Sequence, residues 1–194
     1  MKNYYNDNAK AFFEATVDVD MTPLYQRFLP LLPPNASILD AGCGSGRDSL
    51  HFIKQGYRVT AIDASQPLCD MATELLGQNV ACMDFDSIGW KCEFDGIWAC
   101  ASLLHVERGK LNATIQLISD ALNPSGALYA SFKYGSTERT KDGRTFTDMD
   151  EHLIEMLFDN VSGITLEEIW VTEDRRVTNE NKWINILARK NLKP

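Results

Sequence analysis

Apolar positions in this chain switch repeatedly between a helical spacing and a strand-like one, and the switches divide it into alternating elements. Residues 1–32 carry Tyr5, Ala9, Phe12 and Phe13, then Leu24, Phe28, Leu31 and Leu32, near helical spacing. They read as helical until Pro33-Pro34-Asn35 breaks the pattern. The apolar run Ser37-Ile38-Leu39 is the first strand, and residues 47–55 form a helix closed by Gly56. Residues 57–63 are rich in β-branched side chains and alternate, which predicts a second strand. Ser65-Gln66-Pro67 opens a helix that runs to Leu76 and stops at Gly77. Third and fourth strands follow at 79–83 and 94–100. A helix over 107–122 puts Leu111, Ile115 and Ile118 on one face, and Asn123-Pro124-Ser125-Gly126 ends it. Residues 127–134 are a fifth strand, and the polar stretch 135–146 reads as a segment without an element of its own. The last helix spans 147–158 with Thr147 or Asp148 as its cap, and 166–171 with 183–188 make a closing antiparallel hairpin.

Strands that alternate with helices make right-handed crossovers, hence an α/β fold whose mostly parallel sheet is covered on both faces. The final hairpin adds an antiparallel strand near one edge. The whole of 1–194 reads as one domain, with 1–34 a helical cap and 35–194 the core. Ligands of such open sheets sit outside the carboxyl ends of the strands. That rule singles out residues 40–46, 63–65, 84–85, 100–105, 133–134 and the turn of the last hairpin.

Bulk properties narrow the partners. A net charge of -8 repels polyphosphate at long range and argues against nucleic acid. No apolar stretch predicts a membrane segment or a leader, so the expected location is cytoplasmic. The five cysteines form no Cys-x-x-Cys pair, as suits a reducing compartment. The spacing of Cys82, Cys92, Cys100 and His105 matches no compact zinc pattern, so no metal is expected. Monomer and homodimer both stay open.

The chemistry concentrates in Asp40-Ala41-Gly42-Cys43-Gly44-Ser45-Gly46, directly after the first strand. Glycines there let backbone N–H groups come close to a ligand. The dinucleotide pattern needs its third glycine at position 47, which holds Arg47, and no Gly-Lys-Ser/Thr ending cradles phosphates. Asp40 before the turn is expected to favour a ligand carrying positive charge. Asp63 closes the second strand about twenty residues on, the spacing at which an acid accepts both ribose hydroxyls. Asp84 holds the equivalent place after the third strand, with Phe85 positioned to cover a purine ring.

These motifs resemble class I S-adenosylmethionine-dependent methyltransferases. The resemblance is carried by Ile38-Leu39-Asp40-Ala41-Gly42-Cys43-Gly44-Ser45-Gly46, Asp63-Ala64-Ser65, Asp84 and Phe94-Asp95-Gly96-Ile97-Trp98-Ala99. The chain looks nearest to the small bacterial tellurite-resistance-type branch. The resemblance implies a Rossmann-like, seven-stranded sheet with its last strand reversed and an N-terminal helical lid. It implies S-adenosylmethionine as cofactor, with S-adenosylhomocysteine as product. The methionine end would lie against Gly42, Cys43 and Gly44, the ribose on Asp63, and the adenine near Asp84-Phe85, with Asp40, Arg47, Ala64 and Ser65 also on the cofactor side. Cys100 is grouped with the cofactor side.

The acceptor is expected to be a small molecule, with a methyltransferase acting on protein or nucleic acid, or a non-catalytic S-adenosylmethionine-binding protein, as the alternatives. His105, after the fourth strand, is the candidate general base, with packing or hydrogen bonding beneath the site as the other reading. Lys133, Tyr134, Arg139, Lys141 and Arg144 fall on the cofactor's edge of the sheet, as do Arg175, Arg176 and Trp183 of the last hairpin. Such a basic cluster suits an anionic acceptor. Tyr4, Tyr5, Phe12 and Phe13 are candidates for a lid, and Tyr5 for a contact with the acceptor.

Overall fold

The computed structural model describes residues 2–175 and 181–192. Helices α1 (Lys2–Asp7), α2 (Ala9–Thr16) and α3 (Thr22–Phe28) precede β1 (Ser37–Ala41). Then come α4 (Arg47–Lys54), β2 (Arg58–Asp63), α5 (Gln66–Leu76), β3 (Ala81–Cys82), β4 (Phe94–Ala99) and α6 (Arg108–Ala121). The chain continues with β5 (Leu122–Lys133), β6 (Glu138–Lys141), β7 (Arg144–Thr147), α7 (Glu151–Asp159), β8 (Ile164–Glu173) and β9 (Lys182–Lys190).

Seven strands make one sheet in the order β3-β2-β1-β4-β5-β9-β8, and β6 and β7 make a separate two-stranded ribbon. Strands β1 to β5 pair in parallel. The last strand, β9, is reversed and inserts between β5 and β8. Ile38 and Leu39 point to opposite faces of β1 and both are buried, as expected of a central parallel strand. One face packs Ile97, Leu128, Phe132 and Ile184 against Leu111, Ile115 and Ile118 of α6 and Ile154 of α7. The other packs Trp98 and Tyr129 against Phe28 of α3 and Phe52 of α4. The Trp98 and Tyr129 rings stack with centroids 3.9 Å apart.

Several boundaries differ from the sequence reading. The N-terminal helical stretch is three helices, and β3 has only two residues, pairing with Ile62 and Asp63 of β2. Residues 123–126 bulge out within β5, whose pairing to β4 jumps from Phe94↔Leu122 to Gly96↔Ala127. The closing hairpin is longer than its apolar core, because register pairing carries it from Ile164↔Lys190 to Glu173↔Lys182. Arg176 lies outside the described residues.

The largest correction is the polar stretch 135–146. It contains most of a β-hairpin, with Lys141 paired to Arg144 across Asp142-Gly143. Both turn residues have positive φ, 51° and 69°. That is the geometry for which Asp-Gly is the favoured two-residue turn. Thr147 is thereby drawn into β7, and α7 starts later with Asp150 as its cap, its side chain accepting from the Leu153 amide.

Candidate active site

A cavity of about 730 Å³ opens over the carboxyl ends of the parallel strands. Its floor is the turn from β1 to α4. Gly42 has φ +88°, and a Cβ there would sit 2.4 Å from Ser102 Cβ and 3.7 Å from Phe85. Gly44 has φ +55°, and a Cβ would meet the Phe12 ring at 3.1 Å. Side chains at either position would fill the cradle between the turn, Phe85 and the N-terminal helices.

Asp63 sits at the rim. Its Oδ2 accepts from the Gly44 amide at 2.9 Å and its Oδ1 from the Ser65 amide at 2.9 Å. Burial raises its pKa, and the Ser65 and Gly44 amides pull it partly back. Each oxygen keeps a lone pair for a further donor. Ala64, Ser65, Asp84 and Phe85 line the same wall. The Ser65 hydroxyl donates to Asn6 Oδ1 at 2.8 Å, tying α1 to the end of β2.

Asp40 is a correction. It is buried, accepts from the Ser49 hydroxyl at 2.6 Å, and does not line the cavity. Burial, then the negative charge of Asp48, pushes its pKa up to about 8. That shift favours the neutral form of Asp40, which sits behind the turn and off the cavity wall. The buried negative charge belongs to Asp48, which the sequence reading passed over. Asp48 Oδ1 accepts from Arg47 Nε at 2.7 Å and the Tyr25 hydroxyl at 2.6 Å. Its Oδ2 accepts from Arg47 Nη2 at 2.9 Å and Trp98 Nε1 at 2.8 Å. Burial opposes ionisation, but Arg47's charge and these donors outweigh it and hold Asp48 below the ordinary carboxylate range. Arg47 and Asp48 both line the cavity, and Arg47 Nη1 also donates to the Thr16 carbonyl at 3.3 Å. Cys43 lines the cavity, and burial raises its thiol pKa. Cys100 lines it as well, its thiol pushed up to about 12 by burial and then by Asp48.

The other half of the cavity is built by α1, the turn after β4 and the β6–β7 ribbon. The Tyr5 hydroxyl lies 2.7 Å from His105 Nε2, and His105 Nδ1 lies 2.7 Å from the Thr145 carbonyl. A carbonyl only accepts, so Nδ1 carries the proton and Nε2 accepts from Tyr5. Burial lowers the His105 pKa to about 4 against the pull of the Thr145 carbonyl, and the charges of Arg144 and Lys133 lower it further. His105 is therefore neutral near pH 7. Burial raises the pKa of Tyr5, with Arg144 acting the other way.

Arg144 and Phe146 alternate onto one side of β7 and both reach the cavity. The Arg144 guanidinium stacks 3.5 Å from the Tyr4 centroid and 5.0 Å from Phe146. Lys133 lies 4.7 Å and Arg139 5.2 Å from the same Phe146 ring. Lys141, Arg175 and Trp183 also line the cavity. Arg175 pairs with Asp20 at 3.2 Å, and Trp183 Nε1 donates to Asp174 at 3.1 Å. Tyr134 is a second correction. It is 43% exposed, donates to Glu151 at 3.1 Å, and does not line the cavity; one residue past β5, its backbone bridges to Met149. Phe12, rather than Phe13, faces the cavity.

With this geometry, the comparisons with known proteins are consistent. Residues 38–126 match the sequence pattern of a methyltransferase domain. The chain is 29% identical over 133 residues to the putative methyltransferase YqeM of Bacillus subtilis, covering 63% of this chain and 53% of that protein. It is 38% identical over 66 residues to the malonyl-[acyl-carrier protein] O-methyltransferase of Salmonella typhimurium, covering 33% of this chain and 26% of that protein. The chain thus spans about half the length of YqeM, and less of the Salmonella enzyme. Among solved structures, the 1,6-didemethyltoxoflavin-N1-methyltransferase of Burkholderia thailandensis with bound S-adenosylhomocysteine superposes with TM-score 0.80 at 22% identity. That match covers 97% of this chain and 84% of that one. The magnesium protoporphyrin IX methyltransferase of Synechocystis with bound S-adenosylhomocysteine gives TM-score 0.74 at 16% identity, covering 98% of each chain. Sheet order, the reversed β9 and these neighbours show the fold: it is the Rossmann-like one that the solved methyltransferases share.

Among the described residues no helix is long and apolar enough to cross a membrane. No group of three or more His, Cys, Asp or Glu among them is arranged to hold a metal ion.

Proposed function

We propose that this chain is an S-adenosylmethionine-dependent methyltransferase acting on a small, anionic molecule. The observation that carries the reading is Asp63, whose carboxylate is held by the Gly44 and Ser65 amides with acceptor capacity left over at the cavity rim. The cofactor suits the residues present: a Cβ-free floor at Gly42, an acid at ribose spacing, and Asp84 beside the Phe85 ring. On the motif residues, we put the chain nearest the tellurite-resistance-type branch. The five free thiols agree with a cytoplasmic location.

Bound cofactor would supply a methyl carbon on a cationic sulfur, open to in-line displacement by a lone pair of the acceptor with the carbon–sulfur bonding pair leaving on sulfur. The protein's part is alignment, which can contribute about 7–11 kcal/mol of the barrier. Asp63 would accept from the ribose hydroxyls, and Arg47, held edge-on by Asp48, would border the methionine end. Residues 1–34 act as the cap: Tyr5 and Phe12 cover the reacting centre and exclude water. Where the acceptor loses a proton, the proton passes to the Tyr5 hydroxyl while Tyr5 hands its own to His105 Nε2. The resulting imidazolium keeps its Nδ1 proton on the Thr145 carbonyl.

Acceptor size follows from the space: one cavity of about 730 Å³ must hold cofactor and acceptor together. That volume lies within the usual range of about 300–1,000 Å³ for small-molecule sites. The structural neighbour from Burkholderia, crystallised with 1,6-didemethyltoxoflavin, supports a small acceptor. A second reading takes its support from another neighbour of the same fold, the [4+2]-cyclase SpnF, at TM-score 0.73 and 19% identity. It has the chain bind the cofactor and catalyse something other than methyl transfer.

Calorimetric titration with S-adenosylmethionine, S-adenosylhomocysteine and NADH tests the cofactor assignment, and binding of NADH alone refutes it. Release of S-adenosylhomocysteine in the presence of fractionated small metabolites then separates the transferase from the second reading.

A further inference from the structure

Among the arginines that line the cavity, Arg144 differs from the other three. Arg47 is matched by buried Asp48, Arg139 by buried Asp148, and Arg175 by Asp20. Among the carboxylates of the described residues Arg144 meets Asp142 alone, at 3.4 Å and 55% exposed on the hairpin tip, and its guanidinium otherwise donates to the neutral Tyr5 hydroxyl. Arg144 itself is largely enclosed, its side chain 16% exposed, and its buried Nε has no hydrogen-bond acceptor among the described residues. A buried guanidinium N–H without an acceptor is costly unless a ligand supplies one. The donor edge formed by Nε and Nη2 has the fork geometry that takes a carboxylate through two parallel bonds.

The surroundings of that edge are flat and aromatic. Tyr4 lies beneath the guanidinium, Phe146 beside it, and Tyr5 5.7 Å away, with Trp183 on the same cavity. Aromatic walls favour a ring that can stack or meet them edge-on over an aliphatic chain of equal size. Lys133 next to Phe146 adds a second positive charge to this end.

We propose that the methyl acceptor is a small planar aromatic acid, its carboxylate held by the Nε–Nη2 edge of Arg144 and its ring against Tyr4 and Phe146. This deepens the methyltransferase reading and rests on it for the word acceptor; the binding site itself does not depend on the cofactor. Seated so, the acid places its ring toward the Tyr5 hydroxyl, where the group to be methylated is presented.

The test titrates three probes into the protein, each with and without S-adenosylhomocysteine: 4-hydroxybenzoate, 4-hydroxybenzamide and cyclohexanecarboxylate. The acid and the amide differ in charge, and the two acids differ in aromaticity. We expect 4-hydroxybenzoate to bind at least about 10-fold more tightly than either of the others, the worth of a charge-assisted fork. Arg144→Gln should erase the preference for acid over amide, Arg144→Lys should restore part of it, and S-adenosylhomocysteine affinity should stay within about 2-fold in both. Equal or undetectable binding of all three probes to the unmodified protein overturns the proposal, as does an acid preference that survives Arg144→Gln. Loss of S-adenosylhomocysteine binding with the acid preference intact counts instead against the cofactor assignment alone.

Discussion

Replacing Asp48 with Asn takes one charge and one acceptor from a point where four donors converge. Arg47 Nε and the Tyr25 hydroxyl reach one carboxylate oxygen, and Arg47 Nη2 and Trp98 Nε1 reach the other. An amide can serve only one of those pairs as acceptor. If its NH₂ faces Nη2 and Trp98, two obligate donors are opposed by a third. If it faces Nε and Tyr25, the tyrosine can turn and accept, but Nε is still confronted by a donor. The second orientation is the cheaper, and it leaves a buried guanidinium without its counter-charge. Removing one partner of a buried pair costs about 3–5 kcal/mol, and the surviving hydrogen bonds put Asp48→Asn near the lower end, about 3 kcal/mol. That is a large part of a typical stability of about 5–15 kcal/mol. With a urea dependence of about 1–3 kcal/mol/M, the unfolding midpoint should fall by about 1 M or more. The control is the cycle with Arg47→Met. Removing the orphaned cation should make the double variant at least about 1 kcal/mol more stable than additivity allows. A midpoint shift below about 0.3 M for Asp48→Asn, or strict additivity in the cycle, would refute the view that Asp48 is the ionised partner.

The same substitution one turn of chain away should act in the opposite direction. Asp40 has a folded pKa of about 8, above the unfolded value of about 3.9, so its contribution to stability is complete below about pH 4 and is lost as pH rises through 8. Asp40→Asn removes that slope: relative to the unmodified protein it should gain about 1 kcal/mol or more between pH 5 and pH 9 in urea unfolding, and parallel pH profiles would contradict it. Asp63→Ala should weaken S-adenosylhomocysteine binding by about 10–100-fold in calorimetry, from the loss of charged hydrogen bonds; an unchanged affinity removes Asp63 from the ribose. For an acceptor that gives up a proton, Tyr5→Phe should lower kcat by about 10²-fold, the low end for positioned proton transfer. With the His105 pKa near 4, the unmodified enzyme should hold its kcat from pH 9 to about 5 and lose it below as His105 takes up a proton; a kcat untouched by Tyr5→Phe ends the relay.

What the sequence determined by itself is the alternation of elements and the edge of the sheet over which the cavity opens. Both are local in origin. The 3.6- and 2-residue periodicities, the breaks at Pro33-Pro34 and Gly77, and the glycines at 42 and 44 are set by backbone geometry within a few residues. The place of Asp63 on the cavity wall was legible for the same reason, since a strand end and a fixed spacing from the glycines mark it. The β6–β7 hairpin was also written locally, in Asp142-Gly143, but its polar composition hid the alternation of Arg144 and Phe146.

Tertiary structure alone decided which acid carries charge and which distant groups meet. Asp40 and Asp48 look alike along the chain. One is buried beside a hydroxyl, and its pKa is pushed up; the other collects an arginine, a tyrosine and a tryptophan from three elements, and its pKa is held down. Tyr5 and His105 stand a hundred residues apart, and only the packing of α1 over the end of β4 brings them to 2.7 Å. Ionisation and proton transfer depend on burial and on partners in space, and neither is a property of neighbouring residues in the chain.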